Sequence, residues 1–100
     1  MTMPEQQTNV RIRIKYKKPR LYKVIMYNDN VTTMDFVVMV LQTVFNKQKD
    51  VAEEMMMHIH KNGQCVVGVY TFDVARTKVS RTKMMAIKAG FPLKLDYKPE

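Results

Sequence analysis

Long apolar runs are missing from this chain. No stretch approaches the roughly 18 to 20 consecutive apolar residues that a membrane-spanning helix needs, and the opening residues Met1 to Gln7 are polar where a secretory signal would have an apolar core. The expectation is a soluble, cytoplasmic protein with no membrane partner. Cysteine is nearly absent: a lone Cys65 has no internal disulfide partner, and it falls within an apolar strand pattern where a buried thiol acts as a small hydrophobe. Only three glycines are present, at 63, 68 and 90, so there is no glycine-rich phosphate loop. Nucleophile elbows and carboxylate pairs in an acid–base setting are missing too, and the chain reads as a binding protein, not an enzyme. Acidic residues are few, nine against seventeen Lys and Arg, for a formal charge of +8.

That excess raises a nucleic-acid or ribosome-binding reading, since basic clustering is the electrostatic footprint of phosphate partners. Its placement weakens it. Arg11, Arg13, Lys15, Lys17, Lys18, Arg20 and Lys23 lie in the opening segment, and Arg76, Lys78, Arg81, Lys83 and Lys88 fall on one predicted helix with no interleaved aromatics to stack on bases.

One hundred residues that are 46% apolar make one small domain, able to bury roughly 60 to 65% of its unfolded surface. Residues 1–19 show no helical period. Arg11 to Lys17 alternates at period two and Pro19 interrupts it, so the segment reads as a mobile arm, with an edge strand as the alternative. The domain proper, 20–100, opens with a strand from Arg20 to Asn28, rich in Val, Ile and Tyr. A helix follows, with Thr32 as expected N-cap, Asp35 three residues on, and Met34, Val37, Val38, Leu41, Val44 and Phe45 at helical spacing as far as Asn46-Lys47. Asp50 with Glu53 signals a second helix carrying Met55, Met56 and Ile59, closed by Asn62-Gly63.

Cys65 to Thr71 is β-like, and Thr71 caps a helix over about 73–89. At 100° per residue, Ala75, Val79, Thr82, Ala86 and Ala89 share one arc, while Lys78, Arg81 and Lys88 share its neighbour. Gly90 and Pro92 end it, and Leu93 to Tyr97 alternates as a last strand. The order is β-α-α-β-α-β, an α+β fold.

The most telling feature is the junction after the first strand. An apolar run stops at Asn28-Asp29-Asn30 and a helix begins at once, which gathers small polar side chains at the rim of rigid backbone, where a ligand can be held. His58 and His60 do not suit a metal: two residues apart on a helix they point about 200° from each other, and the only cysteine lies elsewhere. His60 near a helix C-terminus also fits a surface imidazole stabilising that terminus. Ten methionines, three of them consecutive at Met55-Met56-Met57, fit either core filling or the lining of an adaptable surface.

Four separated motifs, Tyr22-Lys23-Val24-Ile25 through Asn28-Asp29-Asn30, His58-Ile59-His60, Gly68-Val69-Tyr70-Thr71 with Val74-Ala75-Arg76-Thr77-Lys78, and Gly90-Phe91-Pro92-Leu93, stand in the order and spacing of one family. Over residues 20 to 96 the chain resembles ClpS, the adaptor that hands proteins with certain N-terminal residues to a AAA+ protease. The resemblance implies a three-stranded antiparallel sheet covered by three helices, the layout of a ribosomal stalk protein's C-terminal domain. It implies binding of proteins that begin with Leu, Phe, Tyr or Trp, without a cofactor. Asn28, Asp29, Asn30 and His60 would hold the α-amino group. Met34, Val37, Met56, Ile59 and Leu93, with Thr32 at the edge, would form the side-chain pocket, Met34 at the position that rejects β-branched residues.

It also implies docking through Asp73, Thr77 and Lys78 on the N-terminal domain of a ClpA- or ClpC-type unfoldase, by a monomer. An arm of 19 residues, reaching roughly 60 Å when extended, would help transfer cargo. Three positions depart from the family pattern. Asn30 replaces a second aspartate and removes one negative charge, Thr33 replaces a proline, and Arg76 replaces a glutamate and reverses the local charge in the docking segment.

Overall fold

The computed structural model describes residues 18–100. The expected arm lies almost wholly outside these. Strand β1 (Leu21–Tyr27) is followed by helices α1 (Met34–Thr43) and α2 (Lys49–Asn62), strand β2 (Gln64–Thr71), helix α3 (Phe72–Ala89) and strand β3 (Lys94–Pro99). The fold is α+β, one three-stranded sheet in the order β2-β1-β3 with both pairings antiparallel. β1 is central, paired on both sides, and presents one fully buried set, Val24 and Met26, to the core shared with the helices. The same cluster takes Val67 and Leu95 from the flanking strands, Val37, Val40 and Leu41 from α1, Ala52 and Ile59 from α2, and Ala75, Val79 and Ala86 from α3.

The β1–β2 register shifts between Val24, which faces Gly68, and Ile25, which faces Val66. Val67 is the extra residue of this bulge, and it is fully buried. Without the shift, period-two alternation would place β2's apolar side chains differently against the core.

Small side chains on α3 let it pack closely, and Thr82, fully buried, satisfies its hydroxyl on the Lys78 carbonyl at 2.9 Å. Ala89, expected on this buried arc, is exposed in the last turn, just before Gly90 stops the helix at φ 82°.

Several helix ends differ from expectation. Thr33, not Thr32, is the N-cap of α1: its hydroxyl accepts from the Phe36 N–H at 3.2 Å. α1 ends at Thr43, short of Asn46-Lys47. There the Val44 and Phe45 N–H groups both turn to the Val40 carbonyl, and Asn46 takes φ 57°, the left-handed conformation that asparagine tolerates. α2 is entered through Gln48 with no side-chain cap, and Asp50 sits inside the first turn, where its charge favours the helix dipole. Thr71 occupies the N-cap position of α3, yet its hydroxyl makes no capping bond. β3 begins one residue later than expected and runs two further, to Pro99 opposite Tyr22. Cys65 is only half-buried; burial pushes its thiol up, partly opposed by the nearby Lys47 charge.

Candidate functional site

The end of β1, the start of α1 and the end of α2 meet at one rim. They are fastened by the Asn28 N–H, which donates to the Gly63 carbonyl at 2.9 Å. Gly63 turns α2 toward β1 at φ 90°, a conformation that costs residues with a Cβ, while its own N–H closes the helix on Ile59 at 2.8 Å. This fastening brings the α2 C-terminus beside the Asn28–Asn30 turn.

A cleft of about 470 Å³ lies between these segments. Asn28, Asp29, Asn30, Thr32 and His60 supply polar walls, and Val31, Met34, Val37, Met56 and Ile59 supply apolar ones, with Thr33 between. Met56, Ile59 and His60 share one helix face through i, i+3 and i+4 spacing. His58, on the other side, lies with Nδ1 3.1 Å from the Asn62 side-chain nitrogen. Val37 and Ile59 form the floor and are nearly buried, whereas Met34 is 43% exposed at the mouth. Leu93 does not line the cleft. It is buried in the same core cluster as Val37 and Ile59.

Asp29 organises the turn. Its Oδ1 accepts from the N–H groups of Val31 at 2.8 Å and Thr32 at 2.7 Å, and its Oδ2 accepts from the Thr32 hydroxyl at 2.7 Å. Partial burial pushes this carboxyl up, but the hydrogen bonds outweigh that effect and hold it below its ordinary value. A negative charge is thus fixed at the polar end of the cleft. Val31 was not singled out from the sequence, and Thr33 was noted only as standing where the family has proline. The signal for Thr33 was its spacing to Phe36, and Val31 is carried into the lining by the Asp29 turn.

Asp73, Thr77 and Lys78 lie together on the first turns of α3, in a shallow groove of about 280 Å³ shared with Val74 and Arg81. Arg76 lines an adjoining groove with Asp73, Thr77 and Arg81. Lys78 is half-buried. Its Nζ donates to the Val44 carbonyl at 2.6 Å and lies 5.3 Å from the Tyr70 ring centre and 5.9 Å from that of Phe45. Among the described residues no group of three or more His, Cys, Asp and Glu is placed to hold a metal, and no helix is long and apolar enough to cross a membrane.

The sequence and the fold have counterparts in known proteins. The family of the ATP-dependent Clp protease adaptor protein ClpS matches residues 17–96. The ClpS adapter protein of Acetivibrio thermocellus is 46% identical over 99 residues, 99% of this chain and 96% of that protein, and the one from Myxococcus xanthus is 50% identical over 86 residues, 86% and 80% respectively. Among solved structures, Agrobacterium tumefaciens ClpS2 bound to L-phenylalaninamide superposes with a TM-score of 0.80 at 40% identity, covering 83% of this chain and all of that one. A match across four-fifths of the sequence, relatives near half identical and the shared fold place this chain in the ClpS family of ATP-dependent Clp protease adaptors.

Proposed function

We propose that the cleft holds the first residue of a protein whose N-terminus is Leu, Phe, Tyr or Trp, and that the domain delivers this cargo to a ClpA- or ClpC-type unfoldase through the Asp73, Thr77 and Lys78 face. One observation carries the reading: the cleft joins a polar, negatively charged end to an apolar floor, the shape of a free α-amino group attached to a large side chain. The ligand of the related ClpS2, L-phenylalaninamide, has those two features.

The residues divide the work. An ionised carboxylate offers about four lone-pair sites, and three of those on Asp29 are taken by the turn, so it acts chiefly through its charge. Direct acceptors for the ammonium are then the side-chain oxygens of Asn28 and Asn30 and a ring nitrogen of His60. Val37, Met56 and Ile59 receive the side chain. Leu93 supports that floor from the core and does not touch cargo.

Burying a Leu or Phe side chain contributes about 1.5 to 3 kcal/mol and each hydrogen bond to the ammonium a similar amount. Set against an association cost of at least about 4 kcal/mol, the balance suits micromolar affinity. Fluorescence anisotropy with one labelled peptide in three forms, free N-terminal Phe, the same N-acetylated, and free N-terminal Ile, tests the reading at two salt concentrations. Saturable binding of the Phe form alone, lost in His60→Ala, is expected. Equal binding of all three that salt removes would instead support phosphate-type recognition by the basic surface.

A further inference from the structure

The C-terminal half of helix α3 mixes exposed apolar and basic side chains on the side turned away from the buried Ala75, Val79, Thr82 and Ala86. From Val74 to Ala89 the helix has Arg76, Lys78, Arg81, Lys83 and Lys88 and no acidic residue. Lys78 is engaged by the Val44 carbonyl, while Arg81, Lys83 and Lys88 are exposed. Among these cations stand Met84 and Ile87, 65% and 72% exposed, the two most exposed large apolar side chains among the described residues.

Single surface hydrophobes need no explanation. These two, however, border a largely apolar groove of about 500 Å³ that Met85, Arg81 and Lys88 also line. On the helix wheel Ile87 and Met84 stand side by side, with Lys88 and Arg81 next to Met84 and Met85 beyond them, so an occupant of the groove meets apolar surface on Met84 and Ile87 directly beside two positive charges.

We propose that this groove docks an acidic protein segment bearing one large apolar side chain: the apolar group packs on Met84 and Ile87, and neighbouring carboxylates pair with Arg81 and Lys88. Charge complementarity selects this occupant. A second copy of the chain would bring its own net positive charge against the patch. Nucleic acid would set Met84 and Ile87 against phosphates with no aromatic ring to stack on bases. A bilayer would need the helix's apolar face, which is committed to the core through Ala75, Val79 and Ala86. The groove also lies outside the cleft, so an occupant need not present a free amino group.

The test uses the full chain and an N-acetylated, fluorescein-labelled peptide of glutamates around a central Leu-Phe pair, which the blocked amine keeps from the cleft. Anisotropy should report saturable binding, weakened at least about fivefold when Ser-Ser replaces Leu-Phe and lost when lysines replace the glutamates. Ile87→Glu and Met84→Glu, both at exposed positions, should abolish it, while binding of a free N-terminal Phe peptide stays as in the parent. The proposal is overturned if the acidic peptide fails to bind, if the Ser-Ser form binds equally well, or if binding survives both substitutions. Binding to phosphatidylserine vesicles or to oligo-dT without binding to the peptide also overturns it, in favour of a lipid or nucleic-acid surface.

Discussion

Thr32 gives both its backbone N–H and its hydroxyl to the carboxylate of Asp29, each at 2.7 Å. The Val31 N–H adds a third bond at 2.8 Å, so one side chain fixes the whole link between β1 and α1. The turn is held from within by its own carboxylate, and the Asn28–Gly63 bond ties it to α2 from outside. Cleft geometry therefore depends on a charged group that mostly satisfies backbone and points its remaining field at the polar end.

Asp29→Asn should weaken binding of an N-terminal Phe peptide by about tenfold or more, the equivalent of about 1.4 kcal/mol, through lost charge and a loosened turn. The stability effect has a defined sign. A carboxyl lowered by folding contributes stability above its unfolded pKa, near pH 4, and that contribution disappears as pH falls through its folded value. Urea midpoints of parent and variant should differ at pH 7 and converge as the pH falls below the ordinary carboxylate range. A difference that persists in acid would show that ionisation of Asp29 is not what holds the turn.

Lys78 ties α3 to the end of α1, and its removal leaves the Val44 carbonyl without that donor. Lys78→Met keeps the aliphatic stem against Tyr70 and Phe45 but loses a charge-assisted bond worth about 1.5 to 3 kcal/mol where well buried, and somewhat less at this half-buried site. Urea denaturation should show a loss of about 1 to 2 kcal/mol. Because of this internal role, unfoldase docking is better probed with Asp73→Ala and Thr77→Ala, at exposed positions, whose stability should stay within about 0.5 kcal/mol of the parent.

Much of this was legible in the residues because local rules and tertiary packing agree. Val24 and Met26 alternate inward, and Gly63 and Gly90 stop helices in the left-handed conformation, whereas the grouping of Met56, Ile59 and His60 came from the family resemblance. Misreadings arose where two neighbours could serve one role. Thr32 and Thr33 both fit a cap, and only the closed turn shows that Thr32 is already engaged by Asp29. Leu93, which the family resemblance put in the pocket, is taken by the core. The bulge at Val67 left no local sign, since it answers to pairing with a strand some forty residues earlier. Nor did spacing reveal that Lys78 would reach Val44, a contact between residues far apart in the sequence.

Gly68 sits where β2 passes under Tyr70, and a Cβ there would overlap the tyrosine ring. Gly68→Ala should push Tyr70 off Phe45 and Lys78 and lower stability by about 1 to 3 kcal/mol, the range for overpacking. In Tyr70→Ala the obstruction is absent, so the double variant should be clearly more stable than the sum of the two single effects. Strict additivity in urea melts would place the cost of the alanine elsewhere.

Cys65 offers a chemical reading of the same strand. Burial raises its thiol pKa, so at neutral pH the native protein presents less thiolate than the unfolded chain. Reaction with a disulfide reagent should be at least severalfold slower in buffer than in 6 M guanidinium. Lys47→Gln removes the opposing positive charge and should slow it further; an unchanged rate would mean that access alone controls the thiol.

Met34 stands at the mouth of the cleft on the first turn of α1, 43% exposed, with its thioether free to adjust. In the proposed complex it lies against the β-carbon of the bound residue, where a second methyl would collide with it. The penalty for such a methyl is about 1 to 3 kcal/mol, enough to make N-terminal Leu bind at least fivefold more tightly than Ile. Met34→Ala vacates that space without touching Asn28, Asp29 or His60, so the ammonium contacts persist. Anisotropy titrations should then show Ile and Val peptides gaining affinity while Leu and Phe peptides change by less than about fivefold. If Ile remains excluded, the discrimination is set deeper, at Val37 or Ile59, and the side chain must enter along a different line.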